Sequence, residues 1–195
     1  MSNKKKRNSY LKNVNRLVIK LGSNVLTTNQ GLNITVIRQL AMQVHQLIEM
    51  GKQITIVSSG AMAAGMRKLN LKTRPSEIPL KQAVAAIGQA GLIQEYEKAF
   101  EFFDHKVAQV LLTRTDLSNR TRYLNARNTI RALLAWNVTP IINENDTVAV
   151  EEIKFGDNDH LSAMIALMLN ADLLINLTDI DGCLIKIPGK IMMPN

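Results

Sequence analysis

Five short runs that are apolar almost throughout constrain this chain more than anything else in it. They read RLVIKL, QITIVS, KVAQVLLT, VTPIIN and DLLINLT. A strand with one wet face alternates apolar and polar residues. Strands that barely alternate are buried on both faces and belong to parallel sheets. Between them lie stretches with helical period. In ITVIRQLAMQVHQLIEM, residues Ile37, Leu40, Ala41, Val44, Leu47 and Ile48 fall on one helical face, and Gly51 stops the helix. LKQAVAAIGQAGLIQEYEKAFEFF reads as a long helix whose small residues suit close packing. AMAAGM starts a further helix, RTRYLNARNTIRALLAW reads as another, and GDNDHLSAMIALMLN as one whose acidic start suits the helix dipole. Strands alternating with helices predict an α/β fold, a parallel sheet covered on both faces, with ligands held beyond the carboxyl ends of its strands.

Polar and small residues gather at that rim. The first strand is followed by Gly22, Ser23 and Asn24, the second by Ser58, Ser59 and Gly60, the fourth by ENDTVAVEEIKFGDND and the last by Thr178 and Asp179. Four such loops at one edge predict a site. No Walker A or GxGxxG pattern is present, which argues against a P-loop kinase and a dinucleotide dehydrogenase. Gly22 and Gly60 stand next to helix starts, where backbone N–H groups can hold phosphate. Lys20 ends an apolar strand, and a buried cation needs a partner. A phosphate oxygen, a neighbouring carboxylate or an exit to solvent would each serve.

Asp146, Asp157 and Asp159 could hold Mg2+ through water or orient an ammonium, and Asn143, Asn145 and Asn158 offer both donors and acceptors. The plainer alternative is an acidic surface hairpin followed by a helix capped by Asp157. His45, His105 and His160 show no metal-ligand spacing. His45 is expected at the boundary of its helix, and Trp136 in packing.

With 195 residues, 46% of them hydrophobic, the chain is long enough for one globular domain, or for a domain and part of another. A single cysteine, Cys183, excludes an internal disulfide framework and a multi-cysteine zinc site. No apolar run approaches membrane-spanning length, and no signal-type stretch follows the basic N-terminus, so a cytoplasmic location is expected. The net charge of +8 is dense only at Lys4, Lys5, Lys6 and Arg7. Aromatic residues are 4%, too few to interleave with basic groups for base stacking. Residues 1–14 therefore read as a solvated flexible tail, and a nucleic-acid module is the weaker alternative.

Taken in order, VIKLGSNVLT, VSSGAMAAG, AAIGQAGL, QVLLTRTDL, RYLNARNT, PIINENDTVAVEEIKFGDND and LSAMIALMLNADLLINLTD resemble the amino acid kinase family, over about residues 16–182. The set LNARNT, NENDTVAVEEI and GDND points to the branch that acts on the side-chain carboxylate of glutamate. The resemblance implies a three-layer αβα sandwich with a mainly parallel sheet, its domain over residues 15–182. It implies phosphoryl transfer from ATP, with Mg2+, to L-glutamate as the first step of proline synthesis. A homo-oligomer is implied for the full-length form, and no resident metal site. Lys20 is expected on the transferred phosphate. Ser59, Gly60, Asp146 and Asn158 are expected on glutamate, and Gly22, Thr178 and Asp179 on the nucleotide. Asp157 is expected to organise lysines and metal, and Asp159 to orient substrate or Mg2+.

The stretch CLIKIPGKIMMPN departs from the family pattern, which continues through a DPR-type segment and a glycine-rich loop with a second lysine. One permitted back-translation from Gly182, read from its third base, gives Met-Phe-Asn-Lys-Asp-Pro-Arg-Lys-Asn-Asn-Asp-Ala-Lys. The single methionine codon fixes the Asp-Ala pair opposite Met192 and Met193. The expectation is a one-base loss near codon 182, an aberrant tail over residues 183–195 and an incomplete nucleotide half. The 195-residue chain alone is then expected to be weakly active or inactive. The alternative is a remnant that binds glutamate without catalysis.

Overall fold

A computed structural model of the chain describes residues 11, 13–28, 31–149 and 158–179. In chain order the elements are β1 (Arg16–Leu21), a helical turn α1 (Ser23–Leu26), the two-residue strands β2 (Thr27–Thr28) and β3 (Gly31–Leu32), α2 (Ile34–Glu49), β4 (Gln53–Ser58), α3 (Ala61–Lys68), α4 (Ile78–Glu101), β5 (Lys106–Leu112), α5 (Arg114–Ser118), α6 (Arg120–Ala135), β6 (Val138–Glu144), α7 (Asn158–Leu169) and β7 (Leu173–Leu177). The main sheet has the order β5-β6-β4-β1-β7, and every neighbouring pair is parallel. The small ribbon β2–β3 is antiparallel.

Side chains alternate along a strand, so each strand feeds two cores. Leu17, Ile19 and Leu21 of β1, with Ile54 and Ile56 of β4, join one core with α2 and α4. Val18 and Val57 join the other with α6 and α7. Both faces of the sheet are thus covered, giving the three-layer α/β architecture the sequence predicts. The alternation also decides where Lys20 goes. It shares a face with Val18, and therefore lies on the α7 side.

The local signals act as their chemistry requires. Asn33 caps α2, its side chain accepting from the Val36 amide at 3.3 Å. Ile37, Leu40, Ala41 and Val44 are buried, with Leu47 and Ile48 packed against them. Gly51, at φ +76°, ends the segment in the left-handed region. In α4 a Cβ on Gly88 would fall 1.7 Å from the Ala61 carbonyl oxygen, so the two helices cross at a separation only glycine permits.

Three elements escape the sequence pattern: α1, the β2–β3 ribbon and α5. The last is one turn long and rests on a capping box between Thr113 and Asp116. Trp136 is not a packing residue. It is 75% exposed at the end of α6, because Ile130 and Leu134 carry the buried stripe and the helix stops before Trp136 can extend it. His45 is half-buried, at its helix boundary as expected. Asp157, the expected cap of α7, lies outside the described residues, as do residues 1–10 and 180–195.

Candidate active site

β1 stands between β4 and β7 in the sheet, and the loops leaving the carboxyl ends of all three meet at one crevice. Lys20 heads it. The register places Lys20 beside Val57 of β4 and Asn176 of β7. The residue is 6% exposed, and its Nζ sits 2.5 Å from Asp159 Oδ1 in the first turn of α7. A neighbouring carboxylate is therefore the partner the buried ammonium finds. Asp159 is half exposed, so the pair joins a dry cation to a wet anion. The resemblance implies that Asp157 organises the lysines, and that residue lies outside the described ones; among the described carboxylates Asp159 pairs with Lys20. Being on the α7 side of β1 brings Lys20 under the start of that helix.

The Gly22 turn lies against the lysine: a Cβ built on Gly22 would be 3.6 Å from Lys20 Nζ. The Gly22 amide itself donates to the Leu177 carbonyl at 3.1 Å, tying the end of β1 to β7. Its own N–H is thus spent on the fold. Asn24 reaches across the same gap and donates to Asp179 Oδ2 at 2.9 Å. Thr178 donates to Asp179 Oδ1 at 3.3 Å. The Asn24 amide, then a backbone amide, the Thr178 hydroxyl and the charge on Lys20 hold the Asp179 carboxyl below the usual range. Lys20 is felt at Asp179 as well as at Asp159, and the crevice carries a shared field.

On the β4 side, Asn158 is the joint. Its Nδ2 donates to the Ser58 carbonyl at 2.6 Å, to Ser59 Oγ at 2.9 Å and to Asn143 Oδ1 at 3.1 Å. Asn143 Oδ1 also accepts from the Glu144 amide at 2.9 Å, which fixes it as the oxygen. Because an amide nitrogen only donates, Ser59 Oγ is the acceptor in this bond, and its own O–H is not used in it. The turn is braced from beneath as well. Ser58 Oγ donates to the Ser59 carbonyl at 3.0 Å and so accepts from the Tyr96 hydroxyl, also at 3.0 Å. Burial pushes the Tyr96 phenol well above its ordinary pKa and keeps it a donor. Gly60 follows at φ +99°, a left-handed conformation that a side chain would strain, and opens α3.

The structure thus brings Lys20, Gly22, Ser59, Gly60, Asn158, Asp159, Thr178 and Asp179 to one rim. Asp146 stands half-buried in the turn after β6 on the same side of the sheet. Asn158 is shown tying the fold together through its nitrogen, which leaves Oδ1 as its group for a ligand. Asn143, read from the sequence only as a donor and acceptor at the rim, orients Asn158, and Tyr96, which the sequence did not single out, props the Ser59 turn. A lone tyrosine on the buried stripe of α4 was the only signal for the latter.

The profile of the amino acid kinase family matches residues 15–192. The chain belongs to the amino acid kinase family. Within it, the chain is 56% identical over 177 residues to the glutamate 5-kinase of Geobacter metallireducens, covering 90% of this chain and 48% of that protein. It is 54% identical over 175 residues to the glutamate 5-kinase of Thermus thermophilus, covering 90% and 47%. It is 51% identical over 180 residues to that of Maridesulfovibrio salexigens, covering 92% and 48%. The chain spans about half the length of the curated relatives it matches. As an amino acid kinase domain its described part has a parallel sheet with helices on both faces, and none of its described helices is long and apolar enough to cross a membrane.

Proposed function

We propose that this chain carries the acceptor-binding part of a kinase that transfers a phosphoryl group from ATP to the side-chain carboxylate of L-glutamate, the first step of proline synthesis. The observation behind this reading is the buried Lys20, held by Asp159 at the crevice where β1, β4 and β7 end. The similarity to glutamate 5-kinases over nine-tenths of the chain supports the choice of acceptor.

The chemistry asks little of a general base. A glutamate side chain, with an ordinary pKa of about 4.3, is already a carboxylate at neutral pH. The obstacle is charge: two anions about 4 Å apart repel by about 4 kcal/mol at an effective dielectric of about 20. Lys20 offsets that repulsion where the two must meet, and it is fixed in place before they arrive. The Ser59 hydroxyl and the Gly60 turn suit the α-carboxylate of glutamate, and Asp146 suits its ammonium. Mg2+ travels with ATP and supplies further positive charge. Asp159 and Asp179, both exposed and both within the field of Lys20, are the described acids that suit it.

Because the relatives are about twice as long, the 195-residue chain is proposed to be weakly active alone. The same fact favours a second reading, a glutamate-binding unit without turnover. Glutamyl hydroxamate formation with ATP and Mg2+, measured beside calorimetric glutamate binding, separates the two. Any turnover that needs both ATP and glutamate supports the kinase. Binding without turnover supports the second reading, and neither binding nor turnover contradicts both. Where turnover is measured, Asp146→Ala raises KM for glutamate strongly and leaves ATP affinity nearly intact. Equal loss of both would contradict the assignment.

A further inference from the structure

At the opposite end of the sheet from Lys20, a second group of chemistry-bearing residues comes together. His45 and Glu49 are four residues apart in the last turns of α2, and so share a face of the helix. His105 stands immediately before β5, in the turn that follows α4. That turn is set by Asp104 at φ +54°, and the His105 amide donates to the Phe100 carbonyl at 3.2 Å. Folding closes a sequence gap that hides the group: His45 Nδ1 lies 3.1 Å from His105 Nε2. One ligand atom from each of His45, Glu49 and His105 lies within 4.8 Å of the other two. His45 is held on its other side by Phe103, whose ring stacks on it at a centroid distance of 4.8 Å and an angle of 18°.

We propose that His45, Glu49 and His105 form a binding site for a borderline-soft divalent cation, zinc above all, that clips the end of α2 to the turn entering β5. Two imidazole nitrogens bound tetrahedrally at about 2.0–2.1 Å stand about 3.3 Å apart. The observed 3.1 Å is close to that spacing before any adjustment. Two ring nitrogens that face each other can share only one proton between them, and a metal ion takes the place of that proton. The exposed Glu49 side chain has the freedom to close the remaining distance. Two imidazoles with one carboxylate select zinc, cobalt or nickel over magnesium or calcium, which prefer oxygen donors. Three protein ligands leave a fourth position for water. The site lies at the amino ends of β4 and β5, whereas phosphoryl transfer is placed at the carboxyl ends. Its effect is on the docking of α2, and it is separate from the Mg2+ that accompanies ATP.

The test uses the whole chain, stripped of metal with a chelator and titrated with zinc chloride in a calorimeter, with cobalt(II) absorption as a second readout. One zinc per chain, a rise in Tm and a tetrahedral cobalt spectrum are expected. Replacing His45 or His105 by alanine weakens zinc by at least about tenfold, as loss of a ligand should exceed loss of a ligand's supporting partner. Glu49→Gln also weakens it. Glu49 is exposed, so this variant keeps the test open if a histidine variant fails to fold. The third histidine, His160, serves as the control, and His160→Ala leaves zinc binding unchanged. Absence of zinc binding to the wild-type chain overturns the proposal and leaves the two histidines as a hydrogen-bonded pair only. So does binding that survives the His45→Ala/His105→Ala double substitution.

Discussion

Exchanging Lys20 for methionine should harm the fold less than exchanging its partner Asp159 for asparagine. The asymmetry comes from burial. Lys20 is 6% exposed, beside Val57 and on the face that carries Val18, whereas the Asp159 side chain is 49% exposed. Asp159→Asn takes the direct counter-ion from a buried cation and leaves it only the weaker field of Asp179. Breaking a fully buried pair from one side costs about 3–5 kcal/mol. Water at the exposed carboxylate already screens part of this attraction, so about 1–3 kcal/mol is the reasonable figure here. Lys20→Met leaves a carboxylate that is already half exposed to water and puts an apolar chain of similar length on the face that carries Val18. The expected change is within about 1 kcal/mol of zero, in either direction. With a urea m-value of about 2 kcal/mol/M for a chain of this size, Asp159→Asn lowers the unfolding midpoint by about 0.5–1.5 M. Lys20→Met moves it by no more than about 0.5 M. Equilibrium urea unfolding at pH 7, followed by circular dichroism, reads both. If methionine at position 20 destabilises as much as asparagine at 159, Lys20 is not a desolvated charge dependent on Asp159, and the electrostatic picture of the crevice fails.

Three further outcomes follow from the same geometry. Tyr96→Phe removes the donor to buried Ser58 Oγ and should cost about 1–3 kcal/mol in urea unfolding, while loosening the Ser59 turn and weakening glutamate binding; unchanged stability would show that the hydroxyl braces nothing. Gly88→Ala drives a Cβ to 1.7 Å from the Ala61 carbonyl oxygen, so α3 and α4 must part, and a loss above about 3 kcal/mol or insoluble protein is expected; a folded variant of wild-type Tm would refute that close approach. Asp172 accepts from the amides of Arg16 and Asn15, both at 2.8 Å, and these bonds hold its carboxyl below the usual range. A depressed carboxylate pKa stabilises above the unfolded value of about 3.9 and loses that contribution as pH falls through the lower folded value. Asp172→Asn should therefore be less stable than wild type at pH 7 and converge with it in strong acid; a constant difference across that range would contradict the assignment.

The sheet was legible because burial on both faces leaves a mark in every strand, as RLVIKL and VTPIIN show, and α2 was legible from its stripe and from Gly51. Lys20 was legible as an anomaly, a charge where its neighbours are apolar, though not its partner. Naming Asp159 requires knowing that side-chain alternation turns Lys20 toward the helix that begins 138 positions later. Asn158 is a similar case. Its sequence neighbourhood suggests a ligand contact, but its nitrogen joins residues 58, 59 and 143, which only the folded sheet brings within reach. Tyr96 bonding to Ser58, and His45 meeting His105, are contacts between side chains whose separation along the chain carries no periodic signal. Trp136 misled for the opposite reason, since its size predicts burial while its place at the end of α6 gives it nothing to pack on.

The role of Lys20 in bringing two anions together is reached most directly in a chimera in which residue 179 of this chain is followed by the C-terminal half of one of the glutamate 5-kinases it matches. Glutamyl hydroxamate formation is measured with lysine and with methionine at position 20, alongside calorimetric glutamate binding. The expected result is turnover that falls by at least about 100-fold in Lys20→Met, as for loss of a preorganised donor to a developing charge, with glutamate affinity retained. Turnover at the wild-type rate with methionine in that position would contradict it.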